Sequence, residues 1–400
     1  MPDNTRPDMT PEALTPLLEW ASPRESEAIA HLNAGTPFED TAAAMGVQPT
    51  SVLNMLSKLR RRAASRGHAP AHDMVHTTAP GFSVKGTSTF YDDEGRVSRQ
   101  WVKTERDKEA QFEAMRDAIE ALCEPVRGLA DPVPRPAADD SDLMVLVPWG
   151  DPHVGMLAHR EECGANFDVK IAEAQLVEAT ERLVGLAPSA DRFVLVSIGD
   201  FFHADDSTSR TPASKHVLDT DSRFPEVAAV GIRIVRRCID LALAKFGRVE
   251  FVPVLGNHDP HASMWLGLAV SCLYEREPRV TVLDTRAKIN YLEHGKCLIA
   301  LSHGDTIKMK DVPEITAADV PEIWGRTIYR HAYLGHVHHD SSKEGRGMST
   351  ESIRTLSPKD RYASHHGYRS GQDVKCDVWH KDHGMILRHR VGVAQLGGGR

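Results

Sequence analysis

Residues 143–155 read LMVLVPWGDPHVG, an apolar run that breaks into an aspartate and a histidine on either side of a proline. The run has the makings of a buried strand, and the polar residues at its end decide the fold. In an extended backbone, side chains two apart share a face, so Asp151 and His153 are expected to point at one target. Pro152 fixes its own φ and steers Asp151 toward an extended conformation, which stiffens both flanking groups. A stiffened carboxylate and imidazole facing one point suggest a metal ion.

The same punctuation recurs along the chain. RFVLVSIGD ends in Gly199-Asp200, VEFVPVLGNHD in Gly256-Asn257-His258-Asp259, KCLIALSHGD in His303-Gly304-Asp305, and HAYLGHVHH in Gly335-His336-Val337-His338-His339. Between these strands lie helical segments, with Val227, Val230, Ile234, Cys238 and Leu241 on one face of the first and Leu266, Val270 and Leu273 on another. Strands alternating with helices make an α/β domain. In α/β sheets, sites form at the carboxyl ends of strands, where loops converge on one crevice. The glycines before Asp200, Asn257 and His336 are expected to let the backbone turn sharply beside that crevice. The collected donors are Asp151, His153, Asp200, Asn257, His303, His336 and His338. They exceed the needs of one tetrahedral ion and lack the all-oxygen character of a calcium or magnesium cage. Two transition-metal ions sharing a bridging carboxylate would use all of them.

These motifs in this order, Asp-x-His, Gly-Asp, Gly-Asn-His-Asp, His-Gly and Gly-His-x-His, resemble the calcineurin-like metallophosphoesterase superfamily over residues 143–340. The resemblance implies a four-layer αββα sandwich, two β-sheets face to face with helices outside. It also implies that Asp151, His153 and His338 hold one metal, that Asn257, His303 and His336 hold the other, and that Asp200 bridges them. The family's chemistry is in-line attack of a metal-bound hydroxide on phosphorus, with the residue matching His258 as the acid. Asp259 is expected either to orient His258 or to close the turn. GDFFHADD resembles the DNA-repair exonuclease branch, in which the position of His203 contacts the substrate phosphate; the alternative is a loop histidine with no ligand. Arg210 and Lys215 are expected as phosphate contacts or as solvated loop charges. The whole chain also looks like phage-encoded metallophosphoesterases. Manganese is the expected metal, with Fe, Zn, Ni and Co sharing the ligand preference.

Residues 22–66 carry a helical signature of another kind. SPRE at Ser22–Glu25 and TPFE at Thr36–Glu39 both match a capping box, and Gly35 and Gly46 fall where those helices should stop. A third helix from Pro49 is expected to bury Val52, Leu53, Leu56 and Leu59. Three helices joined by tight turns resemble a helix-turn-helix unit, which would bring Thr50, Ser51 and Asn54 to base edges and Lys58, Arg60, Arg61 and Arg62, with Arg66, to phosphates. The alternative is a helical bundle that docks on another protein. After a linker, STFYDDEGRVSRQWVK reads as a hairpin around Asp93-Glu94-Gly95, followed by a helix over 107–126. DPVPRPAADD, at 131–140, is expected as the main break. The domains are thus 1–66, helix-turn-helix-like; 67–140, linker, hairpin and helix; and 141–395, the metallophosphoesterase domain. A closing hairpin is expected at the tail through Val374, Cys376 and Val378, with Tyr368 and Arg369 as substrate contacts and His365, His366, His380 and His389 in packing or surface roles.

The bulk numbers set limits. The 400 residues, 41% hydrophobic and 26% charged, have a globular composition. With no apolar stretch long enough for a membrane span, the cytoplasm is the expected location. Six cysteines without a C-x-x-C pair argue against thiolate metal sites. The net charge of -8 means that nucleic acid must be met by a local basic patch. The expected function is dinuclear metal-dependent hydrolysis of phosphodiester bonds in nucleic acid. The competitors are a phosphatase or small-molecule phosphodiesterase of the same superfamily and a nucleic-acid-binding regulator with a structural metal site.

Overall fold

The computed structural model describes residues 10–70, 74–75, 77–78, 82–92, 97–106, 126–136, 140–283, 286–359 and 370–397. The helix expected over 107–126, the hairpin tip at 93–95, and Cys123, His365, His366, Tyr368 and Arg369 lie outside the described residues, save for residue 126. The chain divides into two compact units, Met1–Asp117 and Ala118–Arg400.

In the amino-terminal unit, α1 (Pro11–Leu14) is followed by α2 (Pro23–Asn33), α3 (Phe38–Ala44) and α4 (Pro49–Ser65). The capping box of α2 forms as expected: the Ser22 amide donates to Glu25 Oε2 at 2.7 Å and the Glu25 amide to Ser22 Oγ at 3.4 Å. The second box does not form, because Pro37 takes the N-cap position of α3 and no side chain caps it. That start leaves Thr36 one residue outside the cap. Gly35 and Gly46 end α2 and α3 with φ of 79° and 65°, a conformation open to glycine at little cost. Val52, Leu56 and Leu59 of α4 join Leu14, Ala28 and Ile29 in one small core, whereas Leu53 is only half-buried. The strands β1 (His68–Ala69) and β2 (Met74–Val75) pair briefly, and β3 (Phe82–Tyr91) and β4 (Val97–Arg106) form the expected antiparallel hairpin as a separate two-stranded ribbon.

The second unit contains β5 (Leu143–Trp149), α5 (Arg160–Cys163), α6 (Val169–Leu186), β6 (Arg192–Ser197), α7 (Phe224–Leu243), β7 (Arg248–Pro253), α8 (Ala262–Leu273), β8 (Val280–Val282) and β9 (Ile289–His294). It continues with β10 (Cys297–Ser302), α9 (Val312–Asp319), α10 (Pro321–Arg326), β11 (Tyr329–Leu334), β12 (Ser341–Gly345), β13 (Met348–Ser352), β14 (Asp373–His380) and β15 (Gly384–Gly392). One sheet has the order β15-β14-β5-β6-β7-β8 and the other β12-β13-β11-β10-β9. The strands β5 to β8 run parallel, as do β10, β11 and β13, so the carboxyl ends of the motif-bearing strands align within each sheet.

The two-residue period of a strand distributes the apolar side chains between layers. Met144, Leu146, Val194, Val196 and Val252 of the first sheet meet Leu292, Ile299, Leu301 and Tyr333 of the second in one buried cluster. Their neighbours Val145, Val147, Phe193, Leu195, Val249 and Phe251 face α6, α7 and α8, through residues such as Leu176, Ile234, Cys238 and Leu266. On the far side, Ala300, Ala332 and Leu334 pack with Val312 and Trp324 of α9 and α10. The result is a four-layer αββα sandwich. At one edge Arg388 of β15 reaches Glu351 of β13 at 2.8 and 3.0 Å while also holding Asp377 at 2.6 Å, a charged link between the sheets.

The proline-rich stretch expected as the main break runs along this second unit. The Gly128 amide donates to the Cys272 carbonyl at 2.8 Å, the Val133 amide donates to Glu277 Oε2 at 2.6 Å, and Arg279 donates to the Val133 carbonyl at 2.6 Å. The five described cysteines are free and buried, as small core residues. Among the described residues no helix is long and apolar enough to cross a membrane.

Candidate metal centre

The expectation that Asp151 and His153 sit in extended backbone is not met. Asp151, His153, Asp200, His336 and His338 have φ of 43°, 48°, 47°, 68° and 55°, all left-handed. Non-glycine residues rarely adopt this region, and they do so where tertiary bonds over-determine the backbone. Here those bonds are visible. The Asp151 carbonyl accepts from Thr355 Oγ1 at 2.7 Å and Ser357 Oγ at 3.2 Å, and both of its carboxylate oxygens accept from the His336 amide at 3.0 Å. The His153 amide donates to the Asp200 carbonyl at 3.0 Å, and the His258 amide to Asp200 Oδ1 at 2.8 Å. Thus the donor residues take the sharp turns themselves.

The flanking glycines act mainly by leaving room. Only Gly199 among the three is left-handed, at 89°. A Cβ on Gly256 would lie 2.0 Å from Asp200 Oδ1, and one on Gly335 would lie 2.8 Å from Asp151 Oδ2.

All seven expected donors stand at strand ends in the second unit and gather into adjoining groups. In one, His153 Nε2 lies 3.3 Å from His338 Nε2, and His338 Nε2 lies 3.6 Å from Asp151 Oδ1. In the other, His303 Nε2 lies 3.2 Å from Asp200 Oδ2 and 2.9 Å from Asn257 Oδ1, with His336 completing the set. His303 Nδ1, 3.6 Å from Asp151 Oδ1, joins the two groups. Asp151, His153, Asp200 and His303 form a buried floor, whereas Asn257, His258, His336 and His338 line a more open rim.

His203 is buried beside His153 and His258, with which it forms a third group of candidate ligand atoms. It is 2% exposed, its Nδ1 lies 3.3 Å from His153 Nδ1, and its carbonyl accepts from His258 Nδ1 at 2.8 Å. It therefore props two other histidines. Asp259 Oδ2 accepts from the Phe202 amide at 2.8 Å and from Ser263 Oγ at 2.6 Å, so its carboxyl links the loop after β7 to the loop after β6 and to α8. The His258 ring is held by the His203 carbonyl.

Four supporting residues went unrecognised in the sequence. Thr355 and Ser357 fix Asp151 from a distant segment, for which the sequence carries no local signal. Asp205 binds His261 Nδ1 at 2.5 Å and accepts from the His261 and Ala262 amides at 2.9 and 2.8 Å. Asp205 and His261 lie two and three residues beyond His203 and His258, and that proximity to the motifs was the available clue.

The electrostatics follow from crowding in a buried space. Burial, reinforced by the neighbouring imidazoles, holds His153 well below the ordinary histidine range and His203 down at about 3. Burial also opposes charge on Asp200, but His303, His258 and His153 outweigh it and keep the carboxyl strongly acidic. For His303 burial is likewise overcome, by Asp200 and Asp151, and its pKa stands at about 10. Burial and the Asp200 charge push Asp259 up to about 8. Burial favours the neutral, metal-ligating form of His153 and His336, whereas the carboxylates favour a proton on His303 and His338, which a bound cation would displace. By donor type, these groups could hold divalent metal.

The residues expected at nucleic acid lie in the amino-terminal unit, on α4. Thr50, Ser51, Asn54, Lys58 and Arg61 are exposed or half-buried, as is Arg60. Arg62 departs from the expectation. It donates to Glu25 at 2.9 and 3.1 Å and to the Trp20 carbonyl at 2.6 Å, because the nearly buried Glu25 of the α2 cap needs a counter-charge. Arg66 likewise donates to the Phe82 carbonyl at 3.0 Å. Arg210 and Lys215 project from an exposed loop, where Arg210 reaches the Lys215 carbonyl at 3.4 Å.

No protein-family model and no curated protein matches this sequence. Among solved structures, it is similar to a conserved uncharacterized protein described as a predicted phosphoesterase from Streptococcus pneumoniae TIGR4. The identity is 12%, covering 62% of this chain and 98% of that one, with a TM-score of 0.25. It is similar also to Vps29 complexed with Zn from Entamoeba histolytica, at 13% identity, 62% and 99% coverage and a TM-score of 0.28. A putative 5'-nucleotidase from Staphylococcus aureus shows 10% identity, 63% and 54% coverage and a TM-score of 0.28. Likeness at this level identifies no substrate or partner.

Proposed function

We propose that the chain is a metal-dependent phosphoesterase that hydrolyses phosphodiester bonds in nucleic acid. The observation that carries the reading is the convergence of seven nitrogen and oxygen donors, from five strand ends, into two adjoining groups linked by His303. Asp151, His153 and His338 would hold one divalent ion and Asn257, His303 and His336 the other, with Asp200 between them. Such a pair supplies positive charge to the phosphoryl oxygens and acidifies water at the site.

The remaining work falls to the chain's own residues. His258 stands at the rim with Nδ1–H fixed on the His203 carbonyl, so its Nε2 is the atom that delivers a proton to the departing oxygen. His203 keeps that ring and the ring of His153 in place. Asp259 and Ser263 tie the loop that carries His258 to the loop after β6, and Asp205 joins the same loops through His261.

The test is elemental analysis of the purified protein, joined to hydrolysis assays on single- and double-stranded DNA, RNA and a phosphate monoester in Mn, Fe, Zn, Ni and Co. Retained divalent metal with cleavage of nucleic acid is expected, Mn being the most effective. Turnover of the monoester alone would replace the diesterase reading with a phosphatase. A protein that retains no divalent ion and turns over nothing would end the reading altogether.

A further inference from the structure

The ribbon of β3 and β4 has a face whose composition is unusual for an exposed surface. Cross-strand pairs share a face, and here they are Phe90 with Arg99, Ser88 with Trp101, and Gly86 with Lys103. The opposite face carries Thr89 and Gln100, joined by a bond of 3.0 Å. On the first face Phe90 is 67% exposed and Trp101 54%. An aromatic on a ribbon is ordinarily covered by a cross-strand aromatic or β-branched partner. Trp101 has Ser88 opposite and Gly86 and Phe90 on its two diagonals, and a Cβ on Gly86 would meet nothing within 4 Å. The indole is therefore left bare.

The charges on this face are uneven. Arg99 and Lys103 flank Trp101 on its own strand, and among the described residues neither has an ion-pair partner. The acid of the face, Glu105, is 3.4 Å from Lys85. At its base the ribbon is tied to the end of α4, where Arg66 and Thr78 both donate to the Phe82 carbonyl, at 3.0 and 2.8 Å. Two bare aromatic rings on a diagonal, flanked by cations, match a ligand with flat apolar faces strung on an anionic backbone. In a chain of net charge -8 such a patch is local and complementary to phosphate. Stacking on both rings requires unpaired bases, which a duplex does not offer.

We infer that the Phe90, Arg99, Trp101 and Lys103 face of the ribbon binds single-stranded nucleic acid. The inference rests on the nuclease reading and deepens it by naming a strand-holding surface remote in sequence from the metal donors. It goes beyond the α4 residues because it uses base stacking and not groove insertion.

The test uses the full chain carrying Asp200→Ala, in chelator, so that binding is read without cleavage. The probe is a fluorescently labelled oligo(dT) of about twenty nucleotides, long enough to span a typical single-strand site. Removing both rings, Phe90→Ala with Trp101→Ala, is expected to weaken binding about tenfold or more. Arg99→Gln with Lys103→Gln is expected to flatten the dependence of log affinity on log salt by about 0.7 for each phosphate no longer neutralised. Thermal melting checks that each variant folds, which side chains this exposed should permit. Both double variants binding within about twofold of the parent, well inside the stacking effect, would overturn the inference. So would a parent that does not bind oligo(dT), or loss of the rings that dissolves a dimer and leaves affinity intact, which would assign the face to a second copy. Hydrolysis of a chromogenic diester by the unmutated protein is scored separately. Turnover without oligo(dT) binding sinks this inference alone, and ring-dependent binding without turnover sinks the phosphoesterase reading alone.

Discussion

The floor of the metal centre and the face of the ribbon are opposites. In the first, Asp151, His153, Asp200 and His303 are polar yet almost wholly buried; in the second, Phe90 and Trp101 are apolar yet open. Each reverses the usual placement of its residue type, and such reversals are the informative positions on a protein. They differ in what sustains them. The buried donors are held by hydrogen bonds from Thr355, Ser357, His336 and His258, so their geometry is fixed before any ligand arrives. The open rings stand on the ribbon's backbone pairing, with more than half of each residue exposed. One region is fixed by its own hydrogen bonds, and the other is left open.

The contrast is tested most severely at Asp200. Asp200→Ala is expected to lower turnover of a diester by about 1,000-fold or more, the scale of removing a group that stabilises the transition state, and to reduce retained metal by elemental analysis. His258→Ala should instead discriminate by leaving group. We expect a loss of about 100-fold or more on an alkyl diester and a much smaller one on a nitrophenyl diester, whose departing oxygen needs no proton.

Gly256→Ala tests the crowding of the buried region directly. Its new Cβ would lie 2.2 Å from the Asp200 amide nitrogen, and a destabilisation of about 1–3 kcal/mol, the usual cost of overpacking, should appear in denaturant unfolding. The charged link between the sheets gives a pH signature. Burial alone would raise the Glu351 pKa, but His331 and Arg388 prevail and lower it from 4.5 to about 2. A carboxyl whose folded pKa lies below its unfolded value stabilises the fold above the unfolded value, and this contribution disappears as pH falls toward the folded one. Stability should therefore decline between about pH 4.5 and 2, and Glu351→Gln should shrink that decline in urea titrations across the window. The smallest effect separates two arginines of α4. Arg62→Ala should lower stability by about 1–2 kcal/mol by removing the ion pair with Glu25, whereas Arg61→Ala should leave the melting temperature in place and reduce only affinity for nucleic acid.

How far the sequence carries can be judged from particular residues. The strand ends were legible because each apolar run stops abruptly at a short polar motif, and the helices of the amino-terminal unit because Ser22, Gly35 and Gly46 mark their ends. The left-handed backbone of Asp151 and His153 was not. Local rules for a residue before proline favour extended backbone, and they are overridden by hydrogen bonds from residues about two hundred positions away. The stacking of two sheets was hidden for a related reason: a strand covered on both faces is apolar throughout, so LMVLV does not say which side meets helices and which meets another sheet. The hairpin was readable from its alternation, but alternation leads one to expect a covered face, and the bareness of Trp101 emerges only once Ser88 and Gly86 are seen beside it.

The stretch 126–136 bears on where the catalytic unit can be trimmed. Glu277 is 2% exposed and accepts from the Val133 amide as well as from Arg279, while the Arg279 guanidinium also donates to the Val133 carbonyl. A chain starting at residue 141, just ahead of the first sheet strand, would strip the Val133 partners away and open the end of α8 to solvent. A shortened version that keeps its cooperativity must therefore begin upstream of Gly128, even though every expected metal donor lies beyond residue 150.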